Sequence, residues 1–320
     1  MKIAIIGSGA FGIALSCAFI ENTNNISMWT VPNEYEELIK YRTNDKVLKG
    51  IKIDNRIKIS TNLEEVISNA DIIVIAIPVK YISNTIKDIA KYITDSQHIC
   101  IASKGIIEND CEFAYSVIQK YIHTDKIGII SGGTFAIDMA NKYPMGLTIA
   151  SKNNDTTKII KEALSSSFIT CEVSDDIIGV EICGAIKNIL AIAMGILDGL
   201  NVVESTKYAF MTKCINDISN IIYNLGGKKD TIFTYAGIGD ILLTCTSTKS
   251  RNFTLGKMIG ERLSKEDINS YINNTTIEGL YTLKSMKYLL SKNNISMDLI
   301  NYLEDIIYSN DKPENLIKLI

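Results

Sequence analysis

The sequence predicts an α/β chain in two parts, a doubly wound parallel sheet followed by an all-α domain. Three observations predict it. Short β-branched runs alternate with helical periods through the first half of the chain. A Gly-x-Gly-x-x-Gly run, Gly7 to Gly12, follows the first of these directly. After about residue 174 the strand signal gives way to helix after helix.

The β-branched runs fall at Ile3–Ile6, Ile26–Thr30, Ile57–Ser60, Ile72–Ile77, Ile99–Ser103, Ile127–Ser131, Leu147–Ala150 and Ile169–Val173. Several are apolar almost throughout, as parallel strands covered on both faces must be. Between them Phe11–Ile20, Val79–Tyr92 and Asp155–Leu164 carry helical periods. Helical character then runs from Asp175 to Leu225 and on to Ile320, with breaks at Gly226-Gly227, Gly237–Gly239 and Asn273–Thr275. Only Pro313 follows Pro144, so little interrupts those helices. A length of 320 residues suits two domains of ~150 residues each. The expected domains are 1–176 and 177–320.

The glycine run takes its meaning from its place, with a strand before it and a helix after it. Gly7 permits the tight turn, Gly9 lets the backbone approach a pyrophosphate, and Gly12 lets helix and strand pack closely. The helix start offers free N–H groups and the positive end of a dipole to phosphates. Gly7, Gly9, Ala10, Phe11 and Gly12 are therefore the expected contacts of NAD or NADP in a Rossmann-type domain. Without a cofactor, the same run is a tight strand–helix turn. An NAD site often carries an acid ~20 residues on, where the second strand ends. Ser27 to Asn33 holds neither an acid nor an arginine for a 2′-phosphate, and Glu34 comes late. Both dinucleotides stay open.

Composition narrows the function classes. A net charge of −3 gives no general field to attract nucleic acid or an anionic membrane, so an anionic ligand needs a few placed cations. The seven cysteines are scattered without a Cys-x-x-Cys pair, which reads as reduced thiols and a cytoplasmic protein. Two histidines, His98 and His123, leave little material for a metal site or a Ser-His-Asp triad, and no metal is expected. The chain opens on the strand-like Lys2–Ile6 without a secretion signal. Its most apolar stretch, Ile189–Leu197, is closed by Lys187 and Asp198 and falls short of the ~20 residues of a membrane span.

That stretch belongs to the second informative segment, Gly179 to Gly195. Helical spacing puts Gly184 and Ala191 on the side of Lys187, so small residues flank a long cation and leave room for a ligand. Burial lowers a lysine's pKa, and a lysine tuned to ~7–8 serves as a general acid or base. The alternative is a structural lysine that snorkels to solvent or pairs with Glu181.

Taken in order, seven segments resemble the NAD(P)-dependent glycerol-3-phosphate dehydrogenase family over most of the chain. They are Gly7–Gly12, Ser103–Gly105, Ser131–Ala136, Gly179–Asn188, Gly239–Thr246, Ser250–Asn252 and Ile277–Gly279. The lysine helix and the block from Asp240 to Asn252 are the specific parts. The resemblance implies hydride transfer between NAD(P) and the pair sn-glycerol 3-phosphate and dihydroxyacetone phosphate, supplying glycerophospholipid synthesis. It implies Lys187 as proton acceptor, Lys104 as a second lysine near substrate and nicotinamide, and Asp240 and Thr244 as residues that orient lysine and substrate. Ser250, Arg251 and Asn252 match the phosphate-binding stretch, and Gly132 and Thr134 match substrate contacts. Ala136 and Glu278 match cofactor contacts, to which Lys104 and Arg251 also contribute. The family is often homodimeric.

The chain departs from the family at three places. Gly133 stands where a proline is usual, Val47–Gly50 replaces a Leu-Pro-Gly-like stretch, and no basic residue follows Trp29. A related two-domain dehydrogenase acting on ketopantoate or a β-hydroxy acid would share the glycine run but not need Ser250–Asn252. A dinucleotide-binding regulator would have no use for Lys187.

Overall fold

The computed structural model describes residues 1–107, 111–309 and 311–320. They form two compact units, one of Met1–Lys104 with Phe113–Ile177, the other of Gly105–Glu112 with Ile178–Ile320. The short Gly105–Glu112 segment, placed by sequence in the first domain, thus groups with the second.

The strands in chain order are β1 (Lys2–Ile6), β2 (Asn25–Trp29), β3 (Lys58–Ser60), β4 (Ile72–Ile75), β5 (His98–Ile101), β6 (Ile106–Ile107), β7 (Glu112–Phe113), β8 (Ile127–Ser131), β9 (Met145–Ser151) and β10 (Ile169–Ser174). β6 and β7 form a small ribbon that the sequence reading missed, because two-residue strands carry no period. The other eight form one sheet in the order β10-β9-β8-β5-β4-β1-β2-β3, at the eight predicted runs. All neighbours pair in parallel except β8 with β9.

Its helices are α1 (Ala10–Phe19), α2 (Pro32–Tyr41), α3 (Leu63–Ile67), α4 (Ile82–Ile89), α5 (Ala114–Tyr121), α6 (Ala136–Ala140) and α7 (Asn154–Leu164). The helix predicted over Val79–Tyr92 is tightened to 3₁₀ geometry at both ends around α4. Ile3–Ile6 of β1 and Ile72–Ile75 of β4 are fully buried, which is why both strands read as unbroken apolar runs. Phe19, Ile13 and Leu15 of α1 join Ile3, Ile5 and Met28 in the core. Because β1, β4, β5 and β8 are parallel, their carboxyl ends share one edge of the sheet. Gly7, Lys104 and Gly132 follow β1, β5 and β8 and so come to that edge.

The second unit is built on α8 (Ile177–Gly199), followed by α9 (Glu204–Asn224), α10 (Asp240–Cys245), α11 (Arg251–Gly260), α12 (Lys265–Asn274), α13 (Glu278–Lys292) and α14 (Asp298–Tyr308). By length and composition α8 could cross a membrane, but 89% of its most apolar window is buried inside the fold. The sequence reading let Lys187 and Asp198 close its apolar run. The helix runs on through both, as the helical reading from Asp175 to Leu225 expects, and each charge has an internal partner. Lys187 Nζ lies 2.6 Å from Asp240, and Asp198 receives Lys207 and Lys257 at 2.9 and 3.0 Å.

Glycines set how closely α11 lies on α8. A Cβ on Gly195 would sit 2.0 Å from the Phe253 carbonyl oxygen, and one on Gly256 would sit 1.9 Å from that of Ile192. Gly199 and Gly260, four residues further along each helix, repeat the contact at 2.3 and 2.2 Å. Two Gly-x-x-x-Gly faces thus bring backbone to backbone, and α11 is held where its first turn reaches the middle of α8.

Candidate active site

In the first unit the glycine run has the shape that a pyrophosphate cradle requires. Gly7 adopts φ +122°, and a Cβ there would lie 2.5 Å from the Ala76 carbonyl oxygen. A Cβ on Gly12 would lie 2.2 Å from the Gly7 carbonyl oxygen, so α1 can start this close to β1 only through glycine. Gly9 differs, since a Cβ there meets nothing within 4 Å. Its missing side chain serves no internal packing and leaves open the space in front of the loop. Gly9 caps α1 with no side-chain hydrogen bond, and Ala10 and Phe11 form the first turn. These residues fit a dinucleotide phosphate.

Along the same sheet edge, Lys104 Nζ donates to the Gly132 carbonyl at 2.9 Å and lies 6.0 Å from the centre of the Phe11 ring. Thr134 Oγ1 is 3.5 Å from the same carbonyl oxygen. Ser131 Oγ, buried at the end of β8, has no hydrogen-bond partner among the described residues. Ala136 opens α6, which packs against α1. The nine first-unit residues singled out in sequence, Gly7, Gly9, Ala10, Phe11, Gly12, Lys104, Gly132, Thr134 and Ala136, therefore lie along one edge.

In the second unit the site is built around the middle of α8. Lys187 is 8% exposed and Asp240 1% exposed, so this is a buried ion pair. Lys187 Nζ donates to Asp240 Oδ1 at 2.6 Å and to Thr244 Oγ1 at 3.3 Å, and Thr244 Oγ1 donates to Asp240 Oδ1 at 3.2 Å. The partner of Lys187 is thus Asp240 and not Glu181, the structural pairing considered from sequence. An ammonium carries three N–H bonds. Asp240 and Thr244 take two, and among the described residues the third has no acceptor. Such closed geometry around a cation with one donor left over suits delivery of a proton to an outside oxygen. Cys245 Sγ donates to the Lys187 carbonyl at 3.8 Å, and burial pushes its thiol pKa far up, so it stays a neutral packing group.

Asp240 owes its position to the turn before it. Tyr235–Gly239 forms a π-helical turn in which Gly237 has non-helical angles, and a Cβ there would lie 2.3 Å from the Ile232 carbonyl oxygen. Thr234 caps the turn, its Oγ1 accepting from Gly237 N at 3.2 Å. Sequence reading saw Gly237 only as a helix break.

Asn188, next to the lysine, ties three helices together. Its Nδ2 donates to Glu278 Oε2 at 3.2 Å, and its Oδ1 accepts from Asn252 Nδ2 at 3.0 Å. Asn252 Oδ1 in turn accepts from Gly279 N at 2.9 Å. Asn252 and Glu278, both expected at the site from sequence, are thus joined through Asn188, which the sequence placed in the lysine segment without a role of its own. Ser250 caps α11, accepting from Phe253 N at 3.3 Å. Arg251 begins that helix, exposed, with no ion-pair partner for its guanidinium among the described residues. A cation without a partner beside a capped helix N-terminus suits a phosphate. The two histidines take no part. His98 is buried with Nδ1 2.8 Å from Thr156 Oγ1, and burial holds its pKa below the usual value.

Comparison with known proteins covers both units. Residues 2–157 match the model of the NAD-dependent glycerol-3-phosphate dehydrogenase N-terminus, and residues 176–318 match that of its C-terminus. The glycerol-3-phosphate dehydrogenase [NAD(P)+] of Staphylococcus epidermidis is 33% identical over 312 residues, covering 96% of this chain and 93% of that one. The protein of the same name from Fusobacterium nucleatum is 32% identical over 313 residues, covering 97% and 93%. The crystal structure of glycerol-3-phosphate dehydrogenase from Coxiella burnetii superposes with a TM-score of 0.92 at 28% identity, covering 99% and 97%.

Proposed function

The chain belongs to the NAD-dependent glycerol-3-phosphate dehydrogenase family, and from that premise we propose how its own residues interconvert sn-glycerol 3-phosphate and dihydroxyacetone phosphate. It is an NAD(P)-dependent oxidoreductase. When bound, the nicotinamide supplies hydride to C2 of the ketone, or accepts it from C2 of the alcohol. Lys187 gives a proton to the C2 oxygen during reduction and takes it back during oxidation. Asp240 and Thr244 hold Nζ by two of its N–H bonds and aim the third at that oxygen. Arg251 grips the phosphoryl group with Ser250 and Asn252. Lys104, Gly132 and Thr134 contact the substrate, and Lys104 adds positive charge where alkoxide character develops. Gly7, Gly9, Ala10, Phe11 and Gly12 hold the dinucleotide, with contacts from Lys104, Ala136, Arg251 and Glu278.

The observation that carries this reading is the buried Lys187–Asp240–Thr244 set with one lysine N–H left over. The test compares dihydroxyacetone phosphate with dihydroxyacetone as oxidant of the reduced dinucleotide. The phosphorylated ketone should win in kcat/KM by ~100-fold or more, since losing hydrogen bonds to a charged group costs ~1.5–3 kcal/mol each. Arg251→Ala should remove most of that preference, chiefly through KM. Equal rates for the two ketones would instead favour a dehydrogenase of unphosphorylated hydroxy acids.

The reading extends to physiology. We assign the product to glycerophospholipid synthesis in the cytoplasm, supported by family membership and by seven cysteines that are all free thiols. A homodimer is supported by large exposed apolar side chains on the helical unit, among them Phe233, Tyr223 and Val203.

A further inference from the structure

Glu34, in the first turn of α2, reaches back to the glycine loop. Its Oε2 accepts from Ser8 Oγ at 3.0 Å and from Asn44 Nδ2 at 3.4 Å. Ser8 Oγ also lies 2.7 Å from Thr30 Oγ1. A carboxylate only accepts, so Ser8 donates to Glu34 and Thr30 donates to Ser8. Thr30 is fully buried and Ser8 is 5% exposed, which fixes this relay inside the unit. It pins a carboxylate to the residue between Gly7 and Gly9, just beyond the carboxyl end of β2. In this fold that is where a dinucleotide's adenosine ribose is read.

Three cations of the same unit, Arg42, Arg56 and Lys46, have partners other than Glu34. The Arg42 guanidinium donates to the carbonyls of Ile53, Asp54 and Ile57. Arg56 pairs with Asp54, and Lys46 pairs with Glu37. Sequence spacing found no acid at the end of β2, and the carboxylate held against the glycine loop comes instead from α2, later in the chain.

We propose that Glu34 makes this chain select NAD(H) over NADP(H). One carboxylate can accept from a ribose 2′-hydroxyl, and the same carboxylate repels a 2′-phosphate. This rests on the reading that the glycine run binds the dinucleotide.

Isothermal titration of the full chain with NAD⁺ and with NADP⁺ tests it without relying on turnover. NAD⁺ should bind about 30-fold more tightly, in line with the cost of juxtaposed like charges. In Glu34→Gln the amide oxygen still accepts from Ser8, so the fold should hold. The preference should there shrink to about 3-fold, mostly by tighter NADP⁺ binding. Equal affinities in the wild type, or tighter NADP⁺ binding, would overturn the proposal whatever the variant does. So would an unchanged preference in a folded Glu34→Gln. If neither dinucleotide binds the wild type, the glycine-run reading beneath the proposal is what fails, and the proposal falls with it.

Discussion

Lys187→Ala is expected to lower the single-turnover rate with dihydroxyacetone phosphate by about three orders of magnitude or more, at the upper end of what general acid–base catalysis contributes. The Kd for the dinucleotide should change little, because the glycine run is in the other unit and its packing does not involve Lys187. The variant also strips the cation from an Asp240 carboxylate that is 1% exposed. Breaking a buried pair in this way costs about 3–5 kcal/mol, so a lower denaturant midpoint should accompany the lost turnover. Rapid mixing under single-turnover conditions separates the chemical step from product release. Near-normal single-turnover rates in a folded Lys187→Ala would remove the lysine from the mechanism.

A second large effect, on stability alone, is expected of Gly256→Ala. The new methyl would stand 1.9 Å from the Ile192 carbonyl oxygen and 2.9 Å from Ile196 N, both of them backbone atoms that no rotamer change can clear. The helices α8 and α11 would have to part, opening the contact that places Asn252 on Asn188. Overpacking of this kind costs about 3 kcal/mol, at the upper end of the usual range. Gly239→Ala is the control, because its methyl meets nothing closer than 3.8 Å. Its stability should move by less than about 1 kcal/mol. Denaturant unfolding of both variants reads the difference, and similar midpoints would show that the close approach is not needed.

Much of this was legible before any coordinates. Eight strand positions followed from β-branched runs; in the inner strands β4 and β5 burial throughout leaves a nearly uninterrupted apolar signature, whereas the edge strands β3 and β10 alternate buried with exposed residues. The glycine run was legible because its spacing encodes a local strand–turn–helix shape. Lys187 stood out because a long cation among small residues is rare in an apolar helix. What escaped needs distance in the chain. Asn188 gains its meaning from Asn252 and Glu278, which lie 64 and 90 residues away. The pairing of Asp240 with Lys187 was offered by the family resemblance and not by any local pattern, since 53 residues and the Gly237 turn lie between them, and Glu34 reached Ser8 only because α2 folds back over 26 residues. Glu181 was the other acid considered for Lys187, but six residues apart on one helix the two do not face each other. The Gly195–Gly199 and Gly256–Gly260 pairs were visible as spacings, but a glycine at a helix crossing reads the same as one that merely weakens a helix.

The claim that Lys187 and Asp240 act as one proton-handling unit is tested most directly by a double-mutant cycle on the single-turnover rate, comparing Lys187→Ala, Asp240→Asn and the two combined. The expected result is strong non-additivity: the double variant reacts no more slowly than Lys187→Ala and is more stable than it, because no charge is left stranded. Losses that multiply, with each residue contributing independently of the other, would contradict it.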